Sequence, residues 1–211
     1  MATGAHLTIN PLTLAQGIAF LSATDPILAR VYDQVKMPPL WLRPPGLATL
    51  VQIILEQQVS LSSAQAIFNR LQKICQPFCA EQLLTLTPEQ WRLCGVSRPK
   101  QTYIRHLATA ISHRQLDLDS LSSLDDQQVS EQLTQIRGIG VWTANLYLLM
   151  ALGRPDVWPT GDLALESTVK KLYQLPERLP ARTWTDLTAP WRPWRAVAAR
   201  LLWQYYRQVL R

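Results

Sequence analysis

The chain has 211 residues, 47% hydrophobic and 17% charged, a globular composition that excludes a disordered protein. Its formal net charge of +6 favours polyanionic partners. Residues 12–23 are mildly apolar, but no basic segment precedes them and Asp25 follows, so neither a signal peptide nor a membrane span is expected.

Taken in chain order, the apolar periodicity is helical almost throughout, and the pattern begins before residue 20. Residues 37–46 hold four prolines and read as a linker. Leu47, Leu50, Val51, Ile54 and Leu55 then follow the spacing of a buried helix face. Ser60 has the position of an N-cap for a helix carrying Ala64, Phe68 and Leu71. Thr87-Pro88 opens a short helix, with proline at its favoured first position. Residues 103–111 read as a further helix, and Val129, Leu133 and Ile136 form a stripe that stops at Gly138. Residues 146–152 are apolar on every side, which predicts a helix through the core ended by Gly153. Asp162 sits at the N-cap of a helix with Leu165, Val169 and Leu172 on one face. Residues 174–190 read as a second break. The last helix, from about residue 194, carries Val197, Ala198, Leu201 and Tyr205 on one face. No stretch alternates with period two, so the fold class is all-α.

The three cysteines, Cys75, Cys79 and Cys94, lack a fourth ligand at metal spacing. They are expected as core thiols of a cytosolic protein, with no metal and no cofactor. His6, His106 and His113 are expected to be surface or packing residues. The basic charge concentrates in residues 181–211, where Arg182, Arg192, Arg195, Arg200, Arg207 and Arg211 face a single acid, Asp186. Arginine suits planar, bidentate phosphate contacts.

The most informative stretch is LTQIRGIGVWTAN at 133–145. Gly138 and Gly140 bracket a tight turn between two helices and bare backbone N–H groups there. The next helix adds its positive dipole end, so the turn forms an anion nest suited to a DNA phosphate, with Ile139 pinning it into the core. A plain helix–turn–helix connection would also use two glycines.

The hairpin, with ILEQQVS at 54–60, GVSRPKQTYIRHLA at 95–108, ALGRPDVWPTGDLAL at 151–165 and WRPWRAVAARLLW at 191–203, resembles the helix-hairpin-helix DNA glycosylases, specifically the 3-methyladenine DNA glycosylase II class. The resemblance runs from about residue 47 to 203. It implies two helical lobes with the active-site cleft at their junction, drawn here as 1–45 with 138–211, and 46–137. It implies a monomer that binds double-stranded DNA containing a damaged base, flips that base out and hydrolyses its N-glycosidic bond in base excision repair.

The resemblance also assigns residues. Asp162 matches the catalytic aspartate, which stabilises positive charge on the sugar and orients the attacking water. From the residue pattern alone, a helix cap is sufficient for it. Trp142 stands where the glycosylase/lyases carry a Schiff-base lysine, so water is the expected nucleophile and no lyase step is expected. Lys100 and Lys170 lie elsewhere in the motif order. Trp203 matches a tryptophan lining the base pocket, where aromatic faces favour a cationic alkylpurine; the alternative is that it covers a second structural surface. Gln58 aligns with 47, 51 and 54 and matches a residue that wedges into the duplex, an exposed helix end being the alternative. Ile53 replaces the glutamate of adenine-mismatch glycosylases, and Leu146 replaces a tyrosine of some members. Alternatives are a glycosylase for oxidised or deaminated bases, and a non-catalytic helix-hairpin-helix module. The latter needs the hairpin but neither Asp162 nor the Trp142/Trp203 pair.

Overall fold

Prolines and short polar side chains set the helix starts, as a computed structural model describing residues 6–211 shows. Asn10 caps α1 (Pro11–Thr24) in a reciprocal box with Thr13, and Asp25 caps α2 (Pro26–Val35) through the amides of Ile27 and Leu28. The middle of the chain forms α3 (Leu47–Glu56), α4 (Leu61–Ile74), α5 (Ala80–Thr85), α6 (Pro88–Cys94) and α7 (Arg98–Ser112). Ser60 caps α4, and Thr87 with Gln90 forms a capping box on α6. Then come α8 (Asp126–Thr134), α9 (Val141–Met150), α10 (Leu163–Leu172), α11 (Ala181–Thr188) and α12 (Arg195–Tyr205). No strand occurs among the described residues, and the fold is all-α. No described helix is long and apolar enough to cross a membrane.

The chain divides into two compact units. The first is Arg43–Leu152, in which α3 packs against α4, α7 and α9, and α8 against α9. Its core includes Leu50, Val51, Ile53, Ile54, Leu71, Trp91, Leu107 and Leu133, all essentially inaccessible to water. The second joins residues 6–42 to Gly153–Arg211, with α12 packed on α1, α2 and α10. There Leu21, Leu28, Val169, Trp191, Val197 and Leu201 are buried.

The division corrects the boundary expected at 138: residues 138–152 belong to the middle unit. The reason is α9 itself, which buries Ala144, Leu146, Tyr147, Leu148 and Leu149. Its Tyr147 hydroxyl accepts the Gly46 amide at 2.9 Å, and its Met150 carbonyl accepts the Arg43 amide at 2.8 Å. Gly153, at φ +63°, then carries the chain away, and its carbonyl accepts the Ile9 amide at 2.7 Å in the other unit. A second correction concerns residues 174–190. Their sequence reads as a break, but they contain α11, a short helix that buries Trp184 and Thr188.

Candidate DNA-binding and catalytic residues

Gly138 is obligatory for the hairpin. Its φ of +96° is a conformation that side chains resist, and a Cβ built on it would lie 2.1 Å from Cγ of Tyr103. Ile139 follows as the buried anchor, and its amide donates to the Ile136 carbonyl at 2.9 Å. Gly140 is different. At φ −91° and ψ 178° it is the N-cap of α9, and a Cβ there would meet nothing within 4 Å. It gives α9 no side-chain cap, so the positive end of the helix is presented without one.

Gln57, which the sequence pattern does not single out, clamps this hairpin: its Nε2 donates to the Gly138 carbonyl and to Thr143 Oγ1, both at 3.0 Å. Nothing in local periodicity signals a contact over that sequence separation. Gln58 itself is not at the end of a helix stripe. The helix stops at Glu56, Gln57 turns to ψ 123°, and Gln58 stands exposed at φ +57°. The stop is enforced on two sides. The Lys100 ammonium donates to the Leu55 carbonyl at 2.7 Å, and buried Glu56 is held bidentately by Arg43 at 2.8 and 3.2 Å. Burial lowers the pKa of Lys100. Val59 and Leu61, beside Gln58, are exposed apolar side chains. Trp142 lies half-buried in the first turn of α9, Leu146 is buried three residues beyond Thr143, and Ile53 is wholly buried.

In the other unit, Asp162 caps α10, as its position in the sequence indicates: its Oδ1 accepts the Leu165 amide at 3.0 Å. The same oxygen accepts the Trp203 indole N–H at 3.1 Å. The two residues are thus brought together from α10 and α12, and Trp203 is half-buried beside the carboxylate. Leu163, next to Asp162 at the start of α10, is 80% exposed, an apolar side chain contiguous with the carboxylate that periodicity does not flag. Trp41, in the proline-rich segment that reads only as a linker, meets Trp203 edge-to-face with ring centroids 6.2 Å apart.

Not every C-terminal arginine is available to phosphate. Arg200 is wholly buried, donates to the carbonyls of Leu40 and Ala196, and has its pKa lowered to about 10 by burial. Arg195 forks onto Asp156 at 2.7 and 3.1 Å, and Arg192 approaches the same carboxylate at 3.7 Å. Arg182, Arg207 and Arg211 remain exposed. Charge counting along the sequence cannot separate these roles. Cys75 and Cys94 are buried free thiols whose pKa burial raises, and Cys79 is half-buried. His6 and His113 are exposed and His106 is half-buried.

Two helices meeting at a Gly-Ile-Gly turn anchored by buried Ile139, in a chain whose described residues form no strand, define a helix-hairpin-helix protein. The family is narrower: a model described as HhH-GPD superfamily base excision DNA repair protein matches residues 51–193, and the chain belongs to that family. DNA-3-methyladenine glycosylase 1 of Schizosaccharomyces pombe is 32% identical over 163 residues, 74% of this chain and 70% of that protein. The structure of the S. pombe 3-methyladenine DNA glycosylase in complex with abasic DNA matches with a TM-score of 0.83 and 27% identity, covering 92% of this chain and 98% of that one. A DNA-3-methyladenine glycosidase from Bacillus halodurans matches with a TM-score of 0.77 and 31% identity, covering 92% and 90%.

Proposed function

We propose that the chain is a monofunctional DNA N-glycosylase that binds duplex DNA containing an alkylated purine, flips the base out and hydrolyses its glycosidic bond. One observation carries the assignment of chemistry. Asp162 Oδ1 accepts two donors from different helices, the Leu165 amide and the Trp203 indole. Capping α10 needs only the first, worth about 1 kcal/mol. The second donor adds nothing to the cap and fixes the direction in which the carboxylate points. A carboxylate oriented before the reaction stabilises the cation that grows on the sugar without reorganising, which is how such groups lower barriers. It also orients the water that attacks the anomeric carbon. The family membership and the names of the relatives support alkylated bases as substrate and duplex DNA as partner.

The Gly138-Ile139-Gly140 turn and the start of α9 bind one DNA phosphate through backbone amides, except that of Ile139, which is spent on the Ile136 carbonyl; such a contact fixes register and carries no sequence information. Gln58, exposed and apart from α3, enters the gap left by the flipped base. Trp203, beside Asp162, is an aromatic wall for that base, and Trp142, in the first turn of α9, takes the lysine position of the glycosylase/lyases. No lyase step accompanies excision, because an indole occupies the lysine position and cannot form an imine. The Lys100 ammonium is already engaged with the Leu55 carbonyl.

The test is incubation with methylated duplex DNA, reading the free bases released. Release of alkylated purines by the wild type, absent in Asp162→Asn, is the expected result. Release of none, or release of equal amounts by the variant, would remove the assignment.

A further inference from the structure

Between α2 and α3 the chain runs without regular structure, and one face of α12 is given over to holding the part up to residue 41. Arg200, Trp203 and Gln204 stand at i, i+3 and i+4 on α12, and Arg207 follows in the π-helical turn (Tyr206–Leu210) that continues it. Arg200 Nε donates to the Leu40 carbonyl at 2.8 Å. Gln204 Nε2 donates to the carbonyls of Val35 at 2.6 Å and Met37 at 3.3 Å. The Arg207 guanidinium lies 5.7 Å from the centre of the Trp41 ring, and the Trp203 ring meets Trp41 edge-to-face. Both Arg200 and Gln204 are buried, so these bonds are sheltered from water.

What this face fixes is an unusual conformation. Trp41 has φ +48°, a left-handed backbone that a bulky residue adopts only where its surroundings over-determine it. A plain linker flanked by prolines has no need of it. The result is a chain of contacts leading from Arg207 through Trp41 to Trp203, and from the Trp203 N–H to Asp162. We propose that Trp41 is a positioning residue: it holds the Trp203 indole at the angle from which its N–H orients the Asp162 carboxylate. This rests on the reading of Asp162 as the catalytic group. Trp41 need not touch the base, since the Arg207 guanidinium already engages its ring.

The experiment uses the full chain and four variants: Trp41→Leu, Trp41→Phe, Trp203→Phe and the double variant Trp41→Leu/Trp203→Phe. Single-turnover release of a methylated purine from duplex DNA should fall about tenfold in Trp41→Leu, the scale of a sub-ångström misplacement. Trp41→Phe, which keeps an aromatic edge, should recover most of that loss. The double variant should be no slower than Trp203→Phe alone, because both act through one contact. Affinity for an abasic-site duplex should stay within about twofold of wild type. Independent of activity, the indole N–H resonance of Trp203, assigned by its loss in Trp203→Phe, should move in Trp41→Leu and stay in Trp184→Phe. If Trp41→Leu melts far below wild type, Arg207→Leu replaces it and should move the same resonance. Additive rate losses, or a Trp203 resonance that stays in place, overturn the proposal. A shifted resonance in a protein that releases no alkylated base upholds the contact and instead sinks the catalytic reading of Asp162.

Discussion

Gly138 and Gly140 are two residues apart, yet alanine should do opposite things at them. At Gly138 an alanine must hold φ +96°, at a cost of about 1–3 kcal/mol. Its methyl would also stand 2.1 Å from Tyr103 Cγ, an overlap that forces the ring or the hairpin to move and costs about 1–3 kcal/mol more. Together these remove a large share of the ~5–15 kcal/mol that holds a typical domain folded. At Gly140 the backbone already sits where alanine is comfortable, and the methyl would point into open space. Alanine is a poorer N-cap than glycine, but it also lowers the entropy of the unfolded chain, so the net change stays within about 1 kcal/mol. Nothing inside the protein requires glycine there. If a phosphate approaches the bare helix end, however, the methyl stands in its way, and affinity should drop at least tenfold, about 1.4 kcal/mol. Urea denaturation and fluorescence anisotropy on an abasic-site duplex, at one fixed salt concentration, measure the two effects separately. Gly140→Ala binding DNA like wild type would refute the phosphate contact. Gly140→Ala unfolding as early as Gly138→Ala would refute the steric reasoning.

Asp162→Asn should keep the fold, since asparagine caps as well as aspartate, and keep DNA affinity, while single-turnover base release falls about 100-fold or more; an unchanged rate would clear Asp162 of any role. Gln57→Leu should lose two hydrogen bonds of about 0.5–1.5 kcal/mol each and lower both the urea midpoint and DNA affinity, because its amide holds the hairpin. An unmoved midpoint would show the clamp to be ornamental. The product strand should stay whole until alkali treatment, and borohydride should trap no protein–DNA adduct. A stable crosslink would mean that a lysine reaches the sugar.

Local order is legible in the sequence because it is fixed by local chemistry. Ser60, Thr87 and Asp162 each cap the helix their position indicates, and Val129 and Leu133 are buried on α8, although that helix ends at Thr134, short of Ile136 and the Gly138 turn. Sequence and structure part where distant residues decide. The α3 stripe continues through Gln58 on paper, but Lys100 and Arg43, from elsewhere in the chain, hold the carbonyl and carboxylate at its end. Residues 138–152 look like part of the terminal lobe, although α9, apolar on every side, is claimed by the unit that surrounds it. The packing of Trp41 is invisible in the sequence because the prolines around it signal a linker. Only the fold of α12 back over that linker gives the indole a partner. Likewise a run of arginines reads as one basic surface until burial takes Arg200 and Asp156 takes Arg195.

The chemistry of the proposed site bears on which bases it can release. The two donors on Asp162 Oδ1 are an amide N–H and an indole N–H. Both keep their protons throughout the physiological range, so neither can act as a general acid toward a departing base. In the proposed role, the Asp162 carboxylate lowers the barrier from the sugar side only. A neutral purine then has to leave as an anion unless something else protonates it. A purine alkylated at a ring nitrogen already carries positive charge and departs neutral, so it needs no acid. The same positive charge is attracted to an aromatic face such as Trp203, by about 0.5–2 kcal/mol depending on how far water is excluded. Binding and bond cleavage therefore favour the same substrates for independent reasons. Among bases bound with equal affinity, the order of excision should follow the ease of departure rather than the size of the alkyl group.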